Sequence, residues 1–80
     1  MSYTIIGQVG CSYCKEAEEL LVSEGEPHKV LMLEDHAFLR DHFKQFGFKT
    51  VPQIYNGSIH IGGYSELCDY LIGKALHTNG

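Results

Sequence analysis

The chain has 80 residues, 44% hydrophobic and 20% charged, which is the balance of a soluble globular protein and leaves room for a single small domain over residues 1–80. Its formal charge of -4, with six scattered Lys and Arg, offers no basic run to follow a phosphate backbone, so no nucleic-acid partner is expected. Three cysteines do not make the multi-bridge framework of a secreted domain. Met1–Gly7 lacks the basic flank and long apolar stretch of a signal peptide, and no segment approaches membrane-spanning length. A cytoplasmic location without membrane association is therefore expected.

Residues 3–6, Tyr-Thr-Ile-Ile, are β-branched and aromatic and predict a short buried strand ending at Gly7. A helix follows from about Ser12 to Glu24, with Cys14, Ala17, Leu20 and Leu21 recurring at helical spacing. Gly25 is the predicted C-cap, and Pro27 prevents continuation. The apolar run within His28–Leu33 predicts a strand covered on both faces, hence a central, parallel one. Asp35 is the expected N-cap of a second helix to about Phe46, with Leu39, Phe43 and Phe46 inward and Gly47 stopping it.

The second half predicts two strands, Val51–Tyr55 and Ser58–Ile61, joined at Asn56-Gly57 by a type I′ turn. Gly62-Gly63 turns the chain, and Ser65 is the expected cap of a last helix to about Leu76. Its apolar stripe is Leu67, Cys68, Leu71, Ile72, Ala75 and Leu76, which makes Cys68 a small core residue, and Thr78–Gly80 are expected to fray. The order is βαβαββα, an α/β architecture with two parallel strands, a hairpin and helices on both faces.

The chemistry lies in Cys11-Ser12-Tyr13-Cys14. Two thiols one helical turn apart can close a disulfide without moving the rest of the fold. Free N–H groups and the positive helix end favour a thiolate at the first of them, and the thiolate is the species that attacks disulfides. A structural or half-metal site is the other reading of an isolated CxxC. The histidines, His28, His36, His42, His60 and His77, show no ligand spacing toward it, so no metal is expected.

CSYC, Thr50-Val51-Pro52 and Gly62-Gly63-Tyr64-Ser65-Glu66 stand in the order and approximate spacing of one family. On this βαβαββα pattern the chain resembles a dithiol glutaredoxin of the thioredoxin-fold superfamily, and the resemblance covers nearly all of it. It implies a thioredoxin-like four-stranded mixed sheet flanked by three helices. It also implies a glutathione-dependent thiol-disulfide oxidoreductase, with Cys11 the exposed nucleophile and Cys14 the buried resolving thiol. Tyr13 would flank bound glutathione. Pro52 would be cis and leave the Val51 backbone free to pair with an extended substrate, with Thr50 beside it. Gly62 and Gly63 would permit close backbone approach, the free N–H groups near Tyr64, Ser65 and Glu66 would suit the γ-glutamyl α-carboxylate, and Glu66 would receive its ammonium.

The resemblance further implies glutathione as co-substrate, and disulfide-containing or glutathionylated proteins as partners, ribonucleotide reductase among them, for a monomer. Two positions depart from the family. Ser12 replaces the usual proline, which alters the potential in a direction the sequence leaves open. Gln8 replaces a lysine, which weakens the stabilisation of the Cys11 thiolate and the clamp on the glycine carboxylate of glutathione unless Arg40, Lys44 or, first choice, Lys49 substitutes. Gln53 points to the opposite face and receives no role. The alternatives are a glutaredoxin-like protein reduced by thioredoxin reductase, and a module whose Cys11 bridges an iron–sulfur cluster with glutathione as co-ligand.

Overall fold

The computed structural model describes the backbone of residues 2–78 and the side chains of residues 2–74. The expectations for Asn79, Gly80 and the side chains of Ala75 and Leu76 lie outside the described residues. Elements follow in the order β1 (Tyr3–Gly7), α1 (Ser12–Ser23), β2 (His28–Met32), a 3₁₀ turn (Leu33–Asp35), α2 (Ala37–Phe46), β3 (Gln53–Asn56), β4 (Ile59–Gly62) and α3 (Tyr64–Thr78). The sheet order is β2-β1-β3-β4. β1 runs parallel to β2 and antiparallel to β3, and β3 pairs antiparallel with β4, so the sheet is mixed as expected.

Period-two alternation divides the sheet into two faces. Tyr3, Ile5 and Ile54 pack with Ala17 and Leu21 of α1 and Leu67 of α3 in one core. Ile6 packs with Leu39 and Phe43 of α2 in the other. β1 is central because both of its faces are buried and both of its edges are paired.

β2 corrects the sequence reading, for it is an edge strand. Its apolar run reflects cover on two faces, Val30 toward the α1/α3 core and Leu31 toward α2, and such cover does not require two neighbouring strands.

Two further boundaries moved, and two apolar side chains turned outward, for identifiable reasons. Asp35 does not cap α2; it lies in the 3₁₀ turn, whose Leu33 carbonyl accepts Arg40 Nη1 at 2.9 Å and the His36 N–H at 3.4 Å. His36 is the N-cap and contributes no side-chain bond. Asn56 does not enter the hairpin turn but pairs with Ile59, held in the strand by its side chain donating to the Tyr70 hydroxyl at 2.9 Å. The turn is therefore Gly57-Ser58, with positive φ at Gly57 alone, the sign pattern of type II′ rather than I′. Phe46 and Ile72 are exposed rather than inward, Phe46 instead laying its ring on His42 at 4.6 Å.

Gly47 ends α2 as expected, its φ of 70° allowing the Phe48 N–H to reach back to the Phe43 carbonyl at 2.9 Å. That return sets the direction of the following loop, 48–52, which leads to the site.

Candidate active site

Cys11 and Cys14 are joined in a disulfide at the start of α1, with Cα atoms 5.3 Å apart. Cys11 is the N-cap, in extended conformation, and its Sγ accepts the Cys14 N–H at 3.1 Å. A sulfur thus occupies the acceptor position that Ser or Asp ordinarily fills at a helix start. No acidic residue stands in the first turn of α1 to oppose a negative charge there. In the reduced protein this N–H and the helix dipole both favour the Cys11 thiolate.

Accessibility divides the pair. Cys11 is half-exposed while Cys14 is 8% exposed, its Sγ against buried Gly7 at the end of β1. An external disulfide meets Cys11 first, and Cys14 is placed to attack Cys11 from within.

A cleft of about 270 Å³ opens beside this helix end. One wall is Tyr13, which is 58% exposed and has its ring 5.8 Å from that of Tyr64. The loop Thr50-Val51-Pro52, with its Val51–Pro52 bond cis, makes the second wall. Gly63, Tyr64, Ser65 and Glu66, at the beginning of α3, make the third. Ten of the residues singled out from sequence thus lie at or beside one cleft, Cys11 and Cys14 adjoining it through Tyr13. Lys49 is not brought in: it is exposed in the loop and absent from the lining. Arg40 is tied to the Leu33 carbonyl and Lys44 is exposed on the last turn of α2, so no lysine or arginine lines the cleft.

The α3 cap differs from the one read in the sequence. Glu66, not Ser65, completes it: Oε1 accepts the Gly63 N–H at 2.7 Å, and the Ser65 hydroxyl donates to Oε2 at 3.1 Å. This is the back-reaching half of a capping box. The Gly63 N–H first, and the Ser65 hydroxyl next, hold the Glu66 carboxyl below the usual glutamate range. It is the only carboxylate in the lining. The Gly62-Gly63 pair makes room for it, since a Cβ on Gly62 would lie 2.9 Å from Glu66 Cγ and one on Gly63 would lie 3.0 Å from Oε1.

Cys68 is half-buried rather than a core residue, and the neighbouring Cys68 thiol is the chief reason the Tyr64 pKa is raised. Among the described residues no group of three or more His, Cys, Asp or Glu is placed to hold a metal ion.

Two contributors carried no sequence signal. Glu34 reaches across 25 positions to accept the Val9 N–H at 3.0 Å, pinning the loop before Cys11. Gln53, 7% exposed, faces α2 as expected yet donates to the Thr50 carbonyl at 3.1 Å, holding the cleft wall from behind. Neither pairing obeys a local spacing rule, so only the folded chain reveals it.

A four-stranded mixed sheet flanked by three helices, with a CxxC disulfide capping the first helix beside a cis-proline loop, defines a thiol-disulfide oxidoreductase of thioredoxin-like fold. A glutaredoxin family profile matches residues 2–61, and the chain belongs to the glutaredoxin family. It is 40% identical over 58 residues to glutaredoxin 3 of Escherichia coli K12, covering 71% of this chain and 70% of that protein. The solution structure of a glutaredoxin from Brucella melitensis superposes with a TM-score of 0.76 at 29% identity, covering 98% of this chain and 86% of the other. A buckwheat glutaredoxin–glutathione complex shares the fold, with a TM-score of 0.76 at 23% identity over 92% of this chain and 72% of that one. No helix among the described residues is long and apolar enough to cross a membrane.

Proposed function

We propose that residues 1–80 act as one monomeric glutaredoxin domain in the cytoplasm, reducing protein disulfides and glutathione mixed disulfides with glutathione as the electron source. The observation that carries this reading is the adjacency of a half-exposed Cys11 to a cleft whose walls suit an extended tripeptide thiol. Backbone N–H groups at the start of α3 face the γ-glutamyl α-carboxylate, Glu66 its ammonium, and the Thr50–Pro52 loop its main chain. Disulfide-containing or glutathionylated proteins are the substrates, ribonucleotide reductase among them.

The Cys11 thiolate attacks one sulfur of the substrate disulfide, forming a Cys11–substrate bond and expelling the other sulfur as a thiolate that takes up a proton. The Cys14 thiolate then attacks Cys11 Sγ, releasing the second substrate thiol and leaving the Cys11–Cys14 disulfide. One glutathione thiolate opens that bond at Cys11, and a second attacks the resulting mixed disulfide, giving glutathione disulfide and the dithiol. Two electrons pass from two glutathiones to one disulfide. A glutathionylated substrate needs Cys11 alone.

The absence of lysine and arginine from the lining favours a second reading, in which thioredoxin reductase replaces glutathione as the reductant. Incubating oxidised protein with glutathione and glutathione reductase, or with thioredoxin reductase, while following NADPH separates the two. Turnover with the first supports the proposal; turnover only with the second rejects it. Cys14→Ser, which retains the nucleophile, should trap a glutathione adduct visible by intact mass, and Cys11→Ser should not.

A further inference from the structure

The cleft wall at Thr50–Pro52 is the second half of a six-residue loop, 47–52, that belongs to no helix or strand. Val51 packs its side chain against the α2-side core but makes no hydrogen bond within the described residues, so no bond of its own fixes its main chain. The Thr50 main chain beside it is held by the buried amide of Gln53. Its Nε2 lies 3.1 Å from the Thr50 carbonyl oxygen and 3.5 Å from Thr50 Oγ1, closing the turn from the first residue of β3. Its Oε1 lies 2.7 Å from His60 Nε2 on β4.

The polarity of this chain of bonds follows from elementary chemistry. A carbonyl oxygen only accepts, so the Thr50 end of the amide must be nitrogen and the His60 end oxygen. His60 Nε2 therefore carries a hydrogen, and the imidazole ring is the donor that fixes the amide's rotation. The ring is itself held, stacked on Phe48 at 4.9 Å and tilted against Tyr55 at 4.9 Å. Phe48 is part of the same loop and is tied to Phe43 of α2. Every rotatable element between β4 and the Thr50 carbonyl thus has a partner, as a functional loop needs if its backbone is to meet a substrate in one geometry.

We propose that Gln53 and His60 are positioning residues, which touch no substrate but set the presentation of the Thr50-Val51 main chain to an extended thiol substrate; this rests on the glutathione reading above. The consequence is selective. A ligand that pairs with the Val51 backbone feels the disturbance, whereas a disulfide too short to reach Val51 does not.

The test compares a glutathionylated peptide with bis(2-hydroxyethyl) disulfide in the oxidation of prereduced protein with no free glutathione present, KM and kcat being the half-saturation concentration and limiting rate of that reaction, for wild-type protein and for Gln53→Glu, Gln53→Met, His60→Leu and His60→Gln. Gln53→Glu keeps the volume but turns an oxygen toward the Thr50 carbonyl, and the lost donor together with two acceptors facing each other should raise KM for the peptide about tenfold with kcat within about threefold. Gln53→Met should do the same, His60→Leu less, and His60→Gln, which retains a donor, should stay within about twofold of wild type. KM for the small disulfide should hardly move. A nitrogen-15 spectrum of His60 should report hydrogen on Nε2, and thermal melting checks that each variant folds; if Gln53→Glu does not, His60→Leu against His60→Gln decides.

A folded Gln53→Glu with unchanged peptide KM, or an equal rise for both disulfides, overturns the positioning role. Wild-type protein that turns over only with thioredoxin reductase would instead reject the glutathione reading, and the same KM comparison, run with no free glutathione, still decides the positioning role.

Discussion

Gly7 closes β1 directly behind the redox pair, and replacing it with alanine tests how tightly Cys14 is packed. A Cβ on Gly7 would lie 3.0 Å from Cys14 Sγ, 3.2 Å from Cys14 Cβ and 3.9 Å from Met32 Sδ. Ordinary contacts between such atoms are about 3.5–4.0 Å, so the methyl overlaps Cys14 while touching Met32 normally. Gly7 is buried and in register with Met32 of β2, so the backbone retreats only by disturbing the sheet. Its φ is not in the left-handed region, and the substitution therefore tests space alone. Overpacking of this kind costs about 1–3 kcal/mol, offset by about 0.4–1 kcal/mol from the stiffer unfolded chain. The net is a loss of up to about 2.6 kcal/mol, about 1.3 kcal/mol at the midpoints of the two ranges.

The two redox states should not share that loss equally. In the oxidised protein Cys14 Sγ is tethered to Cys11, whereas in the reduced protein it is free to rotate away from the methyl. If the difference is about 1 kcal/mol, the reduction potential rises by about 20 mV, because 30 mV corresponds to about 1.4 kcal/mol for a two-electron couple. Equilibration in graded dithiothreitol redox buffers, read by intact mass, measures the shift, and urea unfolding of both states measures the losses. Equal losses with an unmoved potential, or a shift to more negative values, would refute the steric account.

The remaining predictions concern the α3 cap and the core. Because the folded-state pKa of Glu66 is lowered, chiefly by the Gly63 N–H, its contribution is present above the unfolded glutamate pKa and is lost as pH falls through the lower folded value. The melting-temperature gap between wild type and Glu66→Gln should accordingly narrow in acid, and a gap that widens there would contradict the cap. Leu21 is fully buried in the α1/α3 core, so Leu21→Ala should cost about 2–5 kcal/mol in urea unfolding. Ile72 is 60% exposed, and Ile72→Ala should stay within about 0.5 kcal/mol, against the reading that placed it in the apolar stripe.

Much of the fold was legible because its signals are local. Helical spacing from Cys14 to Leu21, the stop at Gly47 and the apolar character of β1 each follow from neighbours within a few residues. Two of the misreadings share a cause: a partner outside the local window overrode the local preference. Tyr70 held Asn56 in β3 and so moved the hairpin turn by one position. Arg40 engaged the Leu33 carbonyl of the 3₁₀ turn where Asp35 was expected to begin α2, whereas Glu66, a local partner, took the capping role assigned to Ser65 because its longer arm reaches back to Gly63. β2 read as central because periodicity reports how many faces are covered and not how many edges are paired.

The amino-acid sequence by itself determined the family, the element order and the chemistry of Cys11 and Cys14, since a CxxC at a helix start needs only the covalent chain and one turn of helix to bring its sulfurs together. Only the tertiary structure decided that Asn56 stays in β3, that Lys49 stays outside the cleft, and that Gln53 and His60 support the Thr50 carbonyl. Those properties depend on distances across the sheet and between loops, and such distances are set by packing rather than by spacing along the chain.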